Sequence, residues 1–219
     1  LAHNKGLLRE RQGKIQEAEQ SYLRALNIYQ QRDDLYNSAQ ILNNLGEISR
    51  HQGNFSKAIE YYEQGLETHQ KLGASKGLAQ LSNNLGLAYQ NIGEWSHAEE
   101  SFERAHALFS QLKNEIGLAR SLNNIARLLR EQGKLKKALS VNQEAIRRFR
   151  DQKDRYGLSY ALNNLGALYR RLNKHQLASE AYQESLELAW ETGDHVSVAS
   201  VLNNLGEIQR YAQNYEEAL

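Results

Sequence analysis

Three residue types are missing from this 219-residue chain: proline, methionine and cysteine. A folded chain with no proline has little use for irregular loops, and helix interiors are where proline costs most. Without cysteine there are neither disulfides nor thiolate metal sites, which fits a reducing, cytoplasmic setting. No apolar run approaches the ~18 residues of a membrane span, and no signal-peptide pattern opens the chain. The formal net charge is only +1, so no global field draws the protein to nucleic acid or anionic membrane. There is no initiator methionine, and both ends fall partway through a repeat. The chain is therefore expected to be a segment of a longer protein.

Recognisable catalytic and cofactor motifs are lacking too. Gly13-Lys14 is followed by Ile15 and Gly133-Lys134 by Leu135, where a phosphate-binding loop needs Ser or Thr. The seven histidines include no H-E-x-x-H and no i, i+4 pair to hold zinc. His106 falls at an apolar place in its register and reads as a partly buried core histidine; Trp95, Tyr62 and Tyr182 read as repeat packing. No enzyme activity, cofactor or metal is expected.

What is present is a repeat. At a spacing of 40, Gly6, Gly46, Gly86, Ala126, Gly166 and Gly206 align without insertion or deletion. Gly13, Gly53, Gly93, Gly133, Asn173 and Gln213 follow, then Ala18, Ala58, Ala98, Ala138, Ala178 and Ala218, then Tyr22, Tyr62, Phe102, Asn142 and Tyr182. Ile41, Leu42, Leu45 and Ile48 mark one face of a first helix, A; Phe55, Ala58, Ile59, Tyr62 and Leu66 mark one face of a second, B. Each repeat is thus an antiparallel pair of helices of roughly 16–18 residues. Gly46 lies inside helix A at a cost near 1 kcal/mol relative to alanine, which points to a close helix contact, expected with Ala58. Gly53 is expected to turn the chain with positive φ, as Asn173 also can; Gln213 is a poorer substitute, so the last turn should differ. One pair cannot bury both its faces but a stack can. The fold class is all-α, an α-solenoid of about eleven helices: a single array with a partial repeat at 1–38, full repeats at 39–78, 79–118, 119–158 and 159–198, and a partial repeat at 199–219.

The phrase "NLGEISRHQGNFSKAIEYYEQGL" (44–66) resembles the tetratricopeptide repeat pattern, with N-L-G, then Gly, Ala, Tyr and a small residue before Leu. The period is 40 where that family usually has 34. The family's frequent proline after helix B is replaced by Gln30, Gln70, Ser110, Arg150 and Trp190, so longer helices or longer loops take the place of the tight linker. Units of this length are similar to those of Pins-type adaptors, kinesin light chain and bacterial multidomain proteins. The resemblance implies a right-handed superhelix whose A helices line a concave groove for an extended or helical segment of a partner. It also implies an alternative, a sensor array within a larger effector such as a signal-transduction NTPase or caspase-like protease.

Adjacent asparagines recur at 43–44, 83–84, 123–124, 163–164 and 203–204. Neighbours on a helix point about 100° apart. The second of each pair flanks the helix packing and is assigned a structural bond to a neighbouring helix. The first falls on a polar stripe, and the resemblance makes Asn43, Asn83, Asn123, Asn163 and Asn203 a ladder for a ligand backbone. Stripe neighbours such as Gln80, Arg120 and Tyr160, together with Arg127, Arg130 and Arg170, would set specificity. Residues 119–158 hold eleven Lys/Arg against four Asp/Glu, a local +7. The groove arginines, Arg171 included, would prefer an acidic segment or terminal carboxylate; Lys134, Lys136, Lys137, Arg147 and Arg148 read as a solvated face. The expected partner is a protein or peptide, with no membrane. Nucleic acid is the competing reading for the basic repeat, and it requires a steep salt dependence.

Overall fold

The computed structural model describes residues 2–216, with side chains over 4–9 and 12–210. Eleven helices run in series through them: α1 (Ala2–Arg11), α2 (Ile15–Gln31), α3 (Leu35–His51), α4 (Phe55–Lys71), α5 (Ser75–Asn91), α6 (Trp95–Gln111), α7 (Glu115–Glu131), α8 (Leu135–Asp151), α9 (Arg155–Arg171), α10 (His175–Glu191) and α11 (His195–Glu216). Odd-numbered helices are the A helices and even-numbered ones the B helices. From α2 to α10 every helix has 17 residues. All the connections between them are three-residue turns, so within each compact unit neighbours run antiparallel. Longer helices, not longer loops, therefore account for the 40-residue period.

The turns follow one backbone recipe. In the A-to-B turns, Gly13, Gly53, Gly93, Gly133 and Asn173 take φ between 58° and 79°, as glycine and asparagine tolerate. The B-to-A turns use the same left-handed residue, at Asp33, Gly73, Lys113, Lys153 and Gly193. Around Gly53, Gly53 N–H donates to the Arg50 carbonyl and Asn54 N–H to the Ser49 carbonyl at 2.8 Å, closing the orphan carbonyls of the helix end. Four A helices are capped: the side chains of Asp34, Asn114, Asp154 and Asp194 accept from Asn37, Gly117, Gly157 and Ser197 N–H, each cap worth about 1 kcal/mol. At Gln213 there is no turn, and α11 continues to Glu216. Ala218 lies outside the described residues.

The small residue of helix A meets an aromatic ring rather than another small residue. A Cβ on Gly46 would stand 2.3 Å from Tyr62 Cε1, and Gly6, Gly86 and Gly166 face Tyr22, Phe102 and Tyr182 in the same way. The expected contact with Ala58 is thus corrected to Tyr62, four residues further along α4, because a flat ring exploits the bare backbone where a methyl would leave a gap. Where the glycine becomes Ala126, the ring opposite becomes Asn142, fully buried.

The chain divides into two compact units, 1–113 and 114–219. In the first, Tyr22, Leu26, Ile41 and Leu45 join α2 to α3, and Tyr62, Leu66, Leu81 and Leu85 join α4 to α5. In the second, Phe149, Ile146, Ala161 and Leu162 pack α8 on α9, and Tyr182, Val201 and Ile208 pack α10 on α11. Removing each large apolar side chain from water is worth about 1.5–3 kcal/mol, so the apolar stripes of the sequence hold each stack together. Trp95 starts α6 with 44% of its surface exposed, so it contributes less to packing than its register suggests. His106 is half-buried.

Candidate peptide-binding face

In the first unit, Asn43 lies on α3, and Gln80 and Asn83 on α5. In the second, Arg120, Asn123, Arg127 and Arg130 lie on α7, Tyr160, Asn163 and Arg170 on α9, and Asn203 on α11. Asn43, Asn83, Asn123 and Asn163 are half-buried, and Asn203 is exposed.

The two asparagines of successive repeats bond to each other. Asn84 Nδ2 donates to Asn43 Oδ1 at 3.0 Å, Asn164 Nδ2 to Asn123 Oδ1 at 2.8 Å, and Asn204 Nδ2 to Asn163 Oδ1 at 2.9 Å. The structural bond assigned to the second asparagine is found at these three sites, and its acceptor is the first asparagine of the preceding repeat. The two members of the motif thus share a task across repeats, contrary to the division of labour drawn from their angular separation. The 100° offset aims one back and the other forward. Asn84 Nδ2 also reaches Glu47 Oε1 at 3.1 Å, and Asn142 Nδ2 reaches Asn123 Oδ1 at 3.3 Å. The ladder uses the carbonyl oxygens of Asn43, Asn123 and Asn163, while their Nδ2 groups make no hydrogen bond among the described residues.

The arginines divide by partner. Arg120 stands 3.8 Å from Asp154, and Arg170 is ion-paired with Glu207. Arg127 is half-buried. Arg130 has only 17% of its side chain exposed; its nearest partners are Asn164 Oδ1 at 3.5 Å and Glu131 at 3.9 Å. Burial pushes its pKa down, Glu131 and Tyr182 oppose that, and Arg171 and Arg170 add to it. It remains charged, and a cation so placed has lost water without gaining a close counter-ion. Tyr160 touches Tyr156, with the hydroxyls 3.1 Å apart and the rings at 5.0 Å. Among the residues read as a solvated face, Arg147 and Arg148 both bind Glu144.

A cavity of about 280 Å³ opens on the A helices of the first unit, between Leu7, Gln40, Asn43, His69, Gln80 and Leu81. His69 belongs to α4 and was not singled out in the sequence, although its register offered the signal: Tyr29, Phe109 and Phe149 hold the same place. The residue is 7% exposed, burial lowers its pKa, and its Nδ1 has no hydrogen-bond partner. Among the described residues there is no cluster of metal-ligating side chains and no helix long and apolar enough to cross a membrane.

With this geometry in view, comparison with known proteins is specific about family. No curated protein sequence matches the chain. Among solved structures, BtubC (BKLC) from P. vanneervenii is 24% identical over 86% of this chain and 78% of its own, with a TM-score of 0.72. A Rap protein in complex with competence and sporulation factor is 18% identical over 98% of this chain, with a TM-score of 0.81; the match spans 64% of the Rap protein's length. A kinesin light chain-like protein of Podospora anserina with TPR-like repeats is 18% identical over 88% of this chain and 95% of its own, with a TM-score of 0.66. These likenesses establish the fold, an α-solenoid. The tetratricopeptide repeat profile matches residues 1–71, 77–151 and 155–219, and the chain belongs to the tetratricopeptide repeat family, the class of protein-interaction scaffolds.

Proposed function

We propose that within each unit the A-helix face is a groove for an extended segment of a partner protein, with a preference for acidic residues or a terminal carboxylate in the second unit. The asparagine ladder carries this reading. Its acceptors are spent within the fold, so what remains for a ligand is a row of Nδ2 donors suited to backbone carbonyls. Donors of this kind hold a main chain and leave side-chain choice to their neighbours. Arg130 supplies the acidic preference: a carboxylate at its guanidinium would give a desolvated charge the bidentate partner it lacks. The Rap protein's structure contains a bound factor, which supports the idea that this fold accommodates ligands.

The test is a random peptide library displayed on phage and selected on the protein. Selected peptides should be enriched in Asp and Glu. Asn123→Asp and Asn163→Asp keep the acceptor oxygens for Asn164 and Asn204 but exchange the outward donor for an acceptor, so helicity should persist. Binding should fall about tenfold or more for each lost charge-neutral bond with its added repulsion. Arg130→Gln should abolish the acidic enrichment. Peptides that bind these variants as tightly as the wild type would defeat the proposal.

A further inference from the structure

At the place of His69 the other repeats carry Tyr29, Phe109 and Phe149, and the last carries the small Ala189, so none of them needs an imidazole there. In the second unit Phe149 occupies this place and packs on Gly157, where a Cβ would lie 2.2 Å from the ring. His69 packs on Gly77 in the same manner, with its Cε1 and Nε2 2.3 Å from where a Cβ would be. Packing is therefore met by the ring's shape, and the nitrogen chemistry of His69 is surplus to the fold. Its Nδ1 is buried and unpartnered, although an unsatisfied buried nitrogen is a cost that phenylalanine would avoid. The ring walls a cavity whose other polar side chains, Gln40, Asn43, Asn44 and Gln80, are all carboxamides. No side chain lining it carries a charge once the imidazole is neutral, the form that burial favours. Its ~280 Å³ lies at the foot of the roughly 300–1,000 Å³ typical of small-molecule sites. That is room for one side chain with a few waters, not for a cofactor.

We infer that this cavity is a side-chain subsite for a primary carboxamide, the Gln or Asn of a bound segment. A carboxamide both donates and accepts, so it can bond to the lining amides while it rests against the neutral imidazole ring. A carboxylate would meet no cation there, and an alkyl group would offer the lining amides no hydrogen bond. The subsite rests on the reading that a chain segment lies along the A-helix face, but it belongs to the first unit and is tested apart from Asn123, Asn163 and Arg130.

The test uses protein labelled with ¹⁵N-histidine, the His69 ring signals being assigned by their loss in His69→Phe. Four probes are titrated at neutral pH into the millimolar range: N-acetyl-glutamine N-methylamide, its leucine and glutamate counterparts, and free L-glutamine. The capped glutamine should move the His69 signals saturably and bind about tenfold more tightly than the leucine and glutamate probes. His69→Phe should retain helicity, as Phe149 does this job already, and its binding should no longer favour glutamine over leucine. Gln80→Leu, at an exposed position, should narrow the same gap in a protein that keeps His69. Free glutamine binding more tightly than the capped form would assign the subsite to the amino acid itself rather than to a peptide side chain, with the carboxamide chemistry upheld. Unmoved His69 signals, equal binding of the leucine probe, or an undiminished glutamine preference in His69→Phe would overturn it.

Discussion

At the scale of single residues, the sign of a substitution here is set by what faces it. Gly46→Ala would ordinarily stabilise a helix by about 1 kcal/mol. Against the fully buried Tyr62 ring, 2.3 Å from the new methyl, it should instead destabilise by about 1–3 kcal/mol through overpacking. The fourth repeat shows how the conflict is resolved, since Ala126 is matched by Asn142 in place of an aromatic residue. Copying that pair as Gly46→Ala with Tyr62→Asn should therefore show coupling. Urea unfolding of the two single variants and the double should find the double less destabilised than their sum. Strict additivity would mean that ring and glycine do not constrain each other. The buried Tyr62 hydroxyl makes no hydrogen bond, and its pKa is raised by burial first, then by Glu47, with Arg50 opposing. What the tyrosine contributes at this site is its ring.

At the scale of helices and turns, local chemistry made much of the structure legible in advance. Gly53 and Asn173 announce positive φ by residue type, and the apolar spacing of 41–48 and 55–66 announces two helix faces. The turns between repeats were harder to read, because Lys113 and Lys153 hide a left-handed backbone behind a residue that disfavours it; φ is 51° and 54° there. Only the register with Gly73 and Gly193 reveals the shared geometry. A non-glycine residue in this region costs about 1–2 kcal/mol, and neither lysine forms an ion pair among the described residues. Lys153→Gly should accordingly raise stability by about 1 kcal/mol, after allowing for the greater freedom of the unfolded chain. Thermal melts monitored by circular dichroism would register this as a higher midpoint, and an unchanged or lower one would show that the turn is not strained.

At the scale of the whole molecule, legibility ended where contacts span a full repeat. The Asn84–Asn43 bond links residues 41 apart, so the motif displayed both partners while concealing that they were partners. The Arg170–Glu207 pair and the His69 cavity were hidden for the same reason: each joins separate helices that only the stacked fold brings together. Repeat arrays draw their stability from neighbour-to-neighbour interfaces rather than from one central core. Each compact unit here has its own: α2 on α3 and α4 on α5 in the first, α8 on α9 and α10 on α11 in the second. Residues 114–219 begin at the Asn114 side chain that caps α7, so cutting there removes no cap from the second unit. Expressed alone, this fragment should remain helical and unfold cooperatively, at a lower urea midpoint than the full chain because fewer interfaces contribute. Fragment 1–113 should do likewise. A non-cooperative or unfolded fragment 114–219 would mean that its packing depends on the preceding repeats, and that the interfaces within it are too weak to sustain the fold alone.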